Sequence, residues 1–162
     1  MKLNKINNKV AIIMGSQSDH PVMKDAEKIL KLLKINYEVL TVSAHRTPKR
    51  MFEFAENAEK KGFAVIIAGA GGAAHLPGMV SSLATIPVIG VPIESKKLKG
   101  LDSLLSIVQM PKGCPTATMA INGSFNAGLF AASIIGTFDF KTRSNLEKWK
   151  RLQTRSIKKK PK

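Results

Sequence analysis

Three short stretches of this 162-residue chain bring together residue types that can do chemistry. Gly15-Ser16-Gln17-Ser18-Asp19 sits where an apolar run, Val10 to Met14, gives way to an amphipathic one. Backbone N–H groups, two hydroxyls and the positive end of a helix dipole can meet there and hold a phosphate or a carboxylate. The same residue types also cap helices, so spacing alone leaves Ser18 or Asp19 equally open to a capping role. Ser43-Ala44-His45-Arg46 pairs a permanent cation with a group that titrates near neutrality. That combination suits a site where an anion is held beside a proton-transfer step, with Arg46 on the anion and His45 on the proton. His20, at the start of a helical pattern, reads as an ordinary polar residue.

The third stretch is Gly69-Ala70-Gly71-Gly72-Ala73-Ala74-His75. Gly69, Gly71 and Ala74 satisfy G-x-G-x-x-A, and Glu94 lies beyond the next strand, which on paper is a dinucleotide fingerprint. Pro77, Gly78 and Pro87 leave too short a helix for that unit, and the motif follows the third strand instead of the first. The other use of such glycines is close approach, in which bare backbone wraps a flat ring and donates N–H groups to a carboxylate. No G-x-x-x-x-G-K-[ST] loop and no G-x-S-x-G elbow is present, and His45 and His75 have no thiol or carboxylate companions at ligand spacing, so no metal is expected.

The elements that must position these residues follow from hydrophobic periodicity. Strands are expected at Val10 to Met14, Tyr37 to Val42, Phe63 to Ala68 and Val88 to Val91, with a fifth at Thr118 to Ile121. Helices are expected at Pro21 to Leu33, after Pro48 (with Met51, Phe52, Phe54, Ala55 and Ala58 at core spacing), as a short segment through Leu83, at Leu101 to Val108 and at Asn126 to Ile135. Strands alternating with helices make an α/β fold with a central parallel sheet. In a doubly wound sheet, ligands bind where strand carboxyl ends gather, and the first three such loops hold nearly all the candidate chemistry.

Composition bounds the rest. At this length one core can bury roughly two-thirds of the unfolded surface without staples, and the single cysteine, Cys114, excludes a disulfide framework. No apolar run approaches the roughly 20 residues of a membrane span, and the polar start, Met1 to Lys9, lacks a signal-peptide core, so a cytoplasmic protein is expected. The net charge of +15 invites a nucleic-acid reading, but ten of the 26 basic side chains and one of the 11 acidic ones lie in residues 141–162. Leu146, Trp149 and Leu152 give that tail a weak helical pattern, read as a docking helix with a solvated end. The body shows no interleaving of aromatic and basic residues, so nucleic acid is not the expected partner. The expected division is a catalytic domain over 1–138 and a basic helical extension and tail over 139–162.

Taken together, the stretches 15–19 and 43–48, the run Ala68 to Met79, Gly90-Val91-Pro92 and Ser106 to Pro111 resemble the N(5)-carboxyaminoimidazole ribonucleotide mutase family of purine biosynthesis, also called the catalytic subunit of phosphoribosylaminoimidazole carboxylase. The resemblance covers about Val10 to Ile135. It implies a flavodoxin-like three-layer sandwich, Rossmann-like in its sheet, assembled as a homo-octamer. It implies transfer of a carboxylate from an exocyclic nitrogen to a ring carbon of an aminoimidazole ribonucleotide, with no cofactor. By motif match, His45 is the general acid and base; Ser18, Ser43 and Arg46 hold the phosphate; Asp19 holds the ribose; Ser16, Ala70 and Gly71 hold the carboxylate or carbon dioxide; His75 and Leu76 line the site. Arg46-Thr47-Pro48 points to the mutase branch, with direct carboxylation by carbon dioxide, or a non-catalytic module for phosphorylated ligands, as the alternatives. After Ala120 the chain departs from the family pattern, with about two residues fewer before the Asn126-Ala127 helix.

Overall fold

Alternation along the strands decides which face of the sheet each side chain joins. The computed structural model describes residues 8–160, so the expectation for the start of the chain falls mostly outside it. Five strands, β1 (Lys9–Met14), β2 (Tyr37–Thr41), β3 (Phe63–Gly71), β4 (Val88–Ile93) and β5 (Ala117–Thr118), form one parallel sheet in the order β2-β1-β3-β4-β5. This is the flavodoxin-like order of doubly wound folds. Val10, Ile12 and Met14 of β1, with Val65 and Ile67 of β3, pack on one face against α1 (His20–Leu32), α5 (Ser124–Ile135) and Leu146 of α6 (Phe140–Ser156). Ala11 and Ile13, with Ile66 and Ala68, pack on the other against α2 (Pro48–Asn57), α3 (Leu76–Ser81) and Ile107 of α4 (Leu101–Val108). With helices on both sides, β3 is buried from Phe63 to Ala70. A strand covered on both faces reads as a continuous apolar run, as this one does.

The structure departs from the expected elements in four places. β3 runs on to Gly71 because Met14 pairs with Gly69 on one side and Ile93 with Gly71 on the other, so the first glycines are strand and not loop. β4 likewise continues to Ile93. β5 is Ala117–Thr118, paired with Ile89 and Gly90, and the stretch assigned to it through Ile121 turns away instead. The turn is set by the Gly123 N–H, which donates to Ala120 O, and by Asn122 at φ +58. Phe52 is 44% exposed: one residue beyond Met51 rotates it about 100° off the core face that Met51, Phe54 and Ala55 occupy.

Two close contacts set the helix positions. A Cβ on Gly128 would collide with Ile29 Cγ2 and lie 3.2 Å from Ala26 O, so α1 and α5 meet at near-backbone distance. The last helix docks through buried Leu146 and through Trp149, whose ring lies 6.0 Å from that of Phe125, while Leu152 and the residues after it are exposed. Asn145 donates to Leu33 O at 2.9 Å, and Arg143 donates to Gly136 O and Thr137 O, closing the carboxyl end of α5.

Asp139 starts that helix by accepting the Thr142 N–H at 2.8 Å, and bonding to Thr142 holds its carboxyl below the usual carboxylate range. A lowered folded-state pKa adds stability above about pH 4 that is lost as pH falls through the lowered value. Asp139→Ala is expected to cost about 1 kcal/mol at neutral pH, with the difference from the parent shrinking in acid, as read by thermal unfolding across pH. An equal loss at all pH values would remove the carboxylate from the account.

Candidate active site

The parallel order brings the carboxyl ends of β1, β2, β3 and β4 to one edge, and a cavity of about 540 Å³ opens there. That volume is in the range of small-ligand sites. Ser16, Ser18 and Asp19 enter it from the end of β1, Ser43, His45 and Arg46 from β2, Ala70 and Gly71 from β3, and Leu76 from α3. His75 is not part of the lining and reaches the site through His45. Nine of the ten residues singled out in the sequence therefore share one cavity, and the tenth touches it.

The β1 end is a single 3-10 turn, Gln17–Asp19, capped by Ser16, whose Oγ accepts from the Ser18 N–H at 3.3 Å and from Ser18 Oγ at 2.9 Å. Ser16, and neither Ser18 nor Asp19, is the capping side chain; Asp19 stands at the N-cap position of α1 without a side-chain bond to the helix. Asp19 is half-buried, and burial raises its carboxyl above the usual range, opposed by the hydrogen bond from Ser18 and the charge of Arg46.

The β2 end is a knot tied by Thr47, whose hydroxyl accepts from Ser43 N at 2.9 Å and donates to Ser43 O at 3.1 Å. Buried Ser43 Oγ accepts the Arg46 N–H at 3.2 Å and lies 3.4 Å from its Nε, while Arg46 Nη2 donates to Gly15 O. The guanidinium therefore bridges the first two loops, with N–H groups left over for an anion. Because Ser16 Oγ and Ser43 Oγ already accept within the protein, each keeps its own O–H to donate.

His45 Nε2 and His75 Nδ1 lie 2.9 Å apart, with the rings edge to face at 88°. One nitrogen must donate and the other accept, so the contact couples the tautomer of one ring to that of the other. Among the described residues no group of three or more His, Cys, Asp and Glu side chains could hold a metal ion.

The fourth strand end also contributes, contrary to the three-loop expectation. Ile93, Glu94 and Ser95 line the cavity beside Gly71 and Gly72. Buried Ser103 of α4 accepts the Gly72 N–H at 2.9 Å and donates to Ile93 O at 2.6 Å, stapling the ends of β3 and β4 together. Gly72 needs its φ of +67, which side-chain-bearing residues rarely adopt. The glycine stretch does not form a strand-turn-helix unit, since the helix that follows begins only at Leu76 and has six residues. Glu94 could have been found by applying the strand-end rule to β4; Ser103, one of two serines on a largely apolar helix, carried no sequence signal.

A family model described as AIR carboxylase matches residues 9–156. The chain is similar to the N5-carboxyaminoimidazole ribonucleotide mutase of Thermotoga maritima, at 66% identity over 128 residues, 79% of this chain and 75% of that one. It is 54% identical over 153 residues to the protein of the same name from Pyrococcus horikoshii, covering 94% and 86% of the two chains. Among solved structures, Treponema denticola PurE superposes with a TM-score of 0.84 at 27% identity, covering 92% of this chain and 93% of that one.

Ser103→Ala leaves the Gly72 N–H and the Ile93 carbonyl without their partner. It is expected to lower the unfolding free energy by about 1–3 kcal/mol in a denaturant titration and to weaken ligand binding. Unchanged stability would show that the staple contributes nothing.

Proposed function

The chain belongs to the AIR carboxylase family, and we propose that it works as an N5-carboxyaminoimidazole ribonucleotide mutase in purine biosynthesis, an intramolecular transferase with the cavity at the sheet edge as its active site. The observation that carries this reading is the convergence of an anion cradle, Ser18, Ser43 and Arg46, with His45 in one cavity. The cradle takes the ribose phosphate: Arg46 supplies fixed charge and Ser43 an uncommitted O–H. Asp19 accepts hydrogen bonds from the ribose hydroxyls. Ser16 and the backbone around Ala70 and Gly71 face the migrating carboxylate, and Leu76 with its apolar neighbours excludes water.

Chemically, the carbamate C–N bond breaks, carbon dioxide leaves, and the exocyclic nitrogen takes a proton from His45. The ring carbon then attacks the retained carbon dioxide, a C–C bond forms, and His45 recovers a proton from that carbon. Atoms and protons balance without an external donor. The hydrogen bond to His75 orients the imidazole and couples its tautomer to that of His75. Trapping carbon dioxide requires a closed site, yet this cavity is open in one chain. Leu98, Leu101, Leu105 and Val108 around α4, and Phe125, Phe130 and Phe138 around α5, are exposed apolar side chains of the kind that neighbouring copies cover. They support association with further copies, for which the homo-octamer that the family resemblance implies is the proposed form, and the metabolic role supports a cytoplasmic setting; no described helix is long and apolar enough to cross a membrane.

The test is to mix purified protein with N5-carboxyaminoimidazole ribonucleotide in buffer purged of carbon dioxide and follow the ring-carboxylated product by chromatography. Product faster than spontaneous decay is expected. Product only from aminoimidazole ribonucleotide at high bicarbonate would move the protein to direct carboxylation, and none from either would leave a binding module. His45→Asn is expected to lower turnover by about 100-fold to 10,000-fold with ligand affinity kept within a few-fold; turnover near the parent's level would remove His45 from the proton steps.

A further inference from the structure

The cavity has two chemically opposite ends. Its cation, Arg46, stands at the β2 end with the hydroxyl of Ser43, next to Ser16 and Ser18 at the β1 end, whereas Glu94 and Ser95 line it at the β4 end. Two strands, β1 and β3, lie between, so the ends are separated by three strand spacings, about 14 Å. A ligand that fills both ends must offer an anion to one and a hydrogen-bond donor to the other.

Glu94 is held in place there. Its backbone N–H donates to Asn122 Oδ1 at 2.9 Å, and Asn122 Nδ2 donates back to Glu94 Oε2 at 3.2 Å. Asn122 sits in the left-handed region at φ +58, with its own N–H on Pro92 O at 2.8 Å. Asparagine tolerates that backbone better than most residues, and here its amide grips the neighbouring loop. The carboxylate's second oxygen, Oε1, has no hydrogen bond among the described residues, and Glu94 is in none of their ion pairs. Glu94 is thus an exposed side chain of the cavity lining with one carboxylate oxygen hydrogen-bonded and the other able to accept from a ligand.

We propose that Glu94 is a specificity-determining residue that accepts a hydrogen bond from the exocyclic N–H of the ligand's heterocycle, and that Asn122 is the positioning residue that aims it. The identity of that donor rests on the mutase reading, in which the phosphate occupies the Arg46 end and the aminoimidazole reaches towards β4. The turn after Ala120 is then the device that brings Asn122 to Glu94.

Calorimetric titration of the intact protein with aminoimidazole ribonucleotide, with imidazole ribonucleotide (which lacks the amino group) and with ribose 5-phosphate tests the assignment. The parent is expected to prefer the amino ligand by about tenfold or more, as for a hydrogen bond to a charged group. Glu94→Ala should abolish the preference and leave ribose 5-phosphate affinity unchanged. Asn122→Gly keeps the backbone accessible while removing the clamp, and should reduce the preference in the same direction. Glu94→Gln, which keeps the shape and removes the charge, should reduce it too and serves if the alanine variant does not fold. Absence of a preference in the parent, its survival in Glu94→Ala or Glu94→Gln, or an equal loss of ribose 5-phosphate affinity would overturn the proposal. Failure of the parent to turn over N5-carboxyaminoimidazole ribonucleotide while the preference persists would sink the mutase reading instead.

Discussion

Parallel pairing of β3 with β1 on one edge and β4 on the other is the constraint from which the site follows. It sends four strand ends to one side of the sheet, so hydroxyls, a guanidinium, an imidazole and two carboxylates scattered from residue 16 to residue 95 meet at one cavity. It also buries β3 on both faces from Phe63 to Ala70, which leaves that strand little room to adjust. Its last residues are alanine and glycine, and the backbone itself becomes the floor of the cavity. The rigid strand therefore ends in a surface of peptide groups, with chemistry supplied from the loops on either side.

Those loops are held by four side-chain ties, three of them from outside the cavity lining. Thr47 ties Ser43, Arg46 ties the β1 and β2 loops together, Ser103 ties Gly72 to Ile93, and Asn122 ties Glu94. Each tie uses hydrogen bonds to backbone groups, so the loops are fixed by partners that are themselves part of the fold. Ser16 and Ser43 belong to both sets: their oxygens accept from the protein and their hydrogens remain for a ligand.

The sheet and its long helices were legible because β-branched runs and amphipathic stretches alternate plainly. The site was legible wherever a polar residue directly followed such a run, as for Ser16, Ser43 and His45. What escaped had no local signature. β3 extends through Gly69 to Gly71 because its neighbours pair with it, a tertiary effect that glycine's own preference opposes. Phe52 looked like core by type, yet its angular position on α2 turns it outward. Ser103 looks like any helix serine until the two backbone groups it joins are seen in space. The two-histidine unit was likewise invisible as a pair, since 30 residues separate its members and each alone reads as an isolated imidazole.

The near-contact of α1 and α5 at Gly128 ties the histories of two distant positions. Any side chain at 128 meets Ile29 Cγ2 on one side and the Ala26 carbonyl on the other, so enlargement there requires Ile29 to lose its branch at the same step or the helices to part. Separation would displace the face on which α5 supports β3 and β4. Residue 128 can therefore enlarge only with or after a reduction at residue 29, and a repacking of this layer that enlarges 128 first starts from a clashing intermediate.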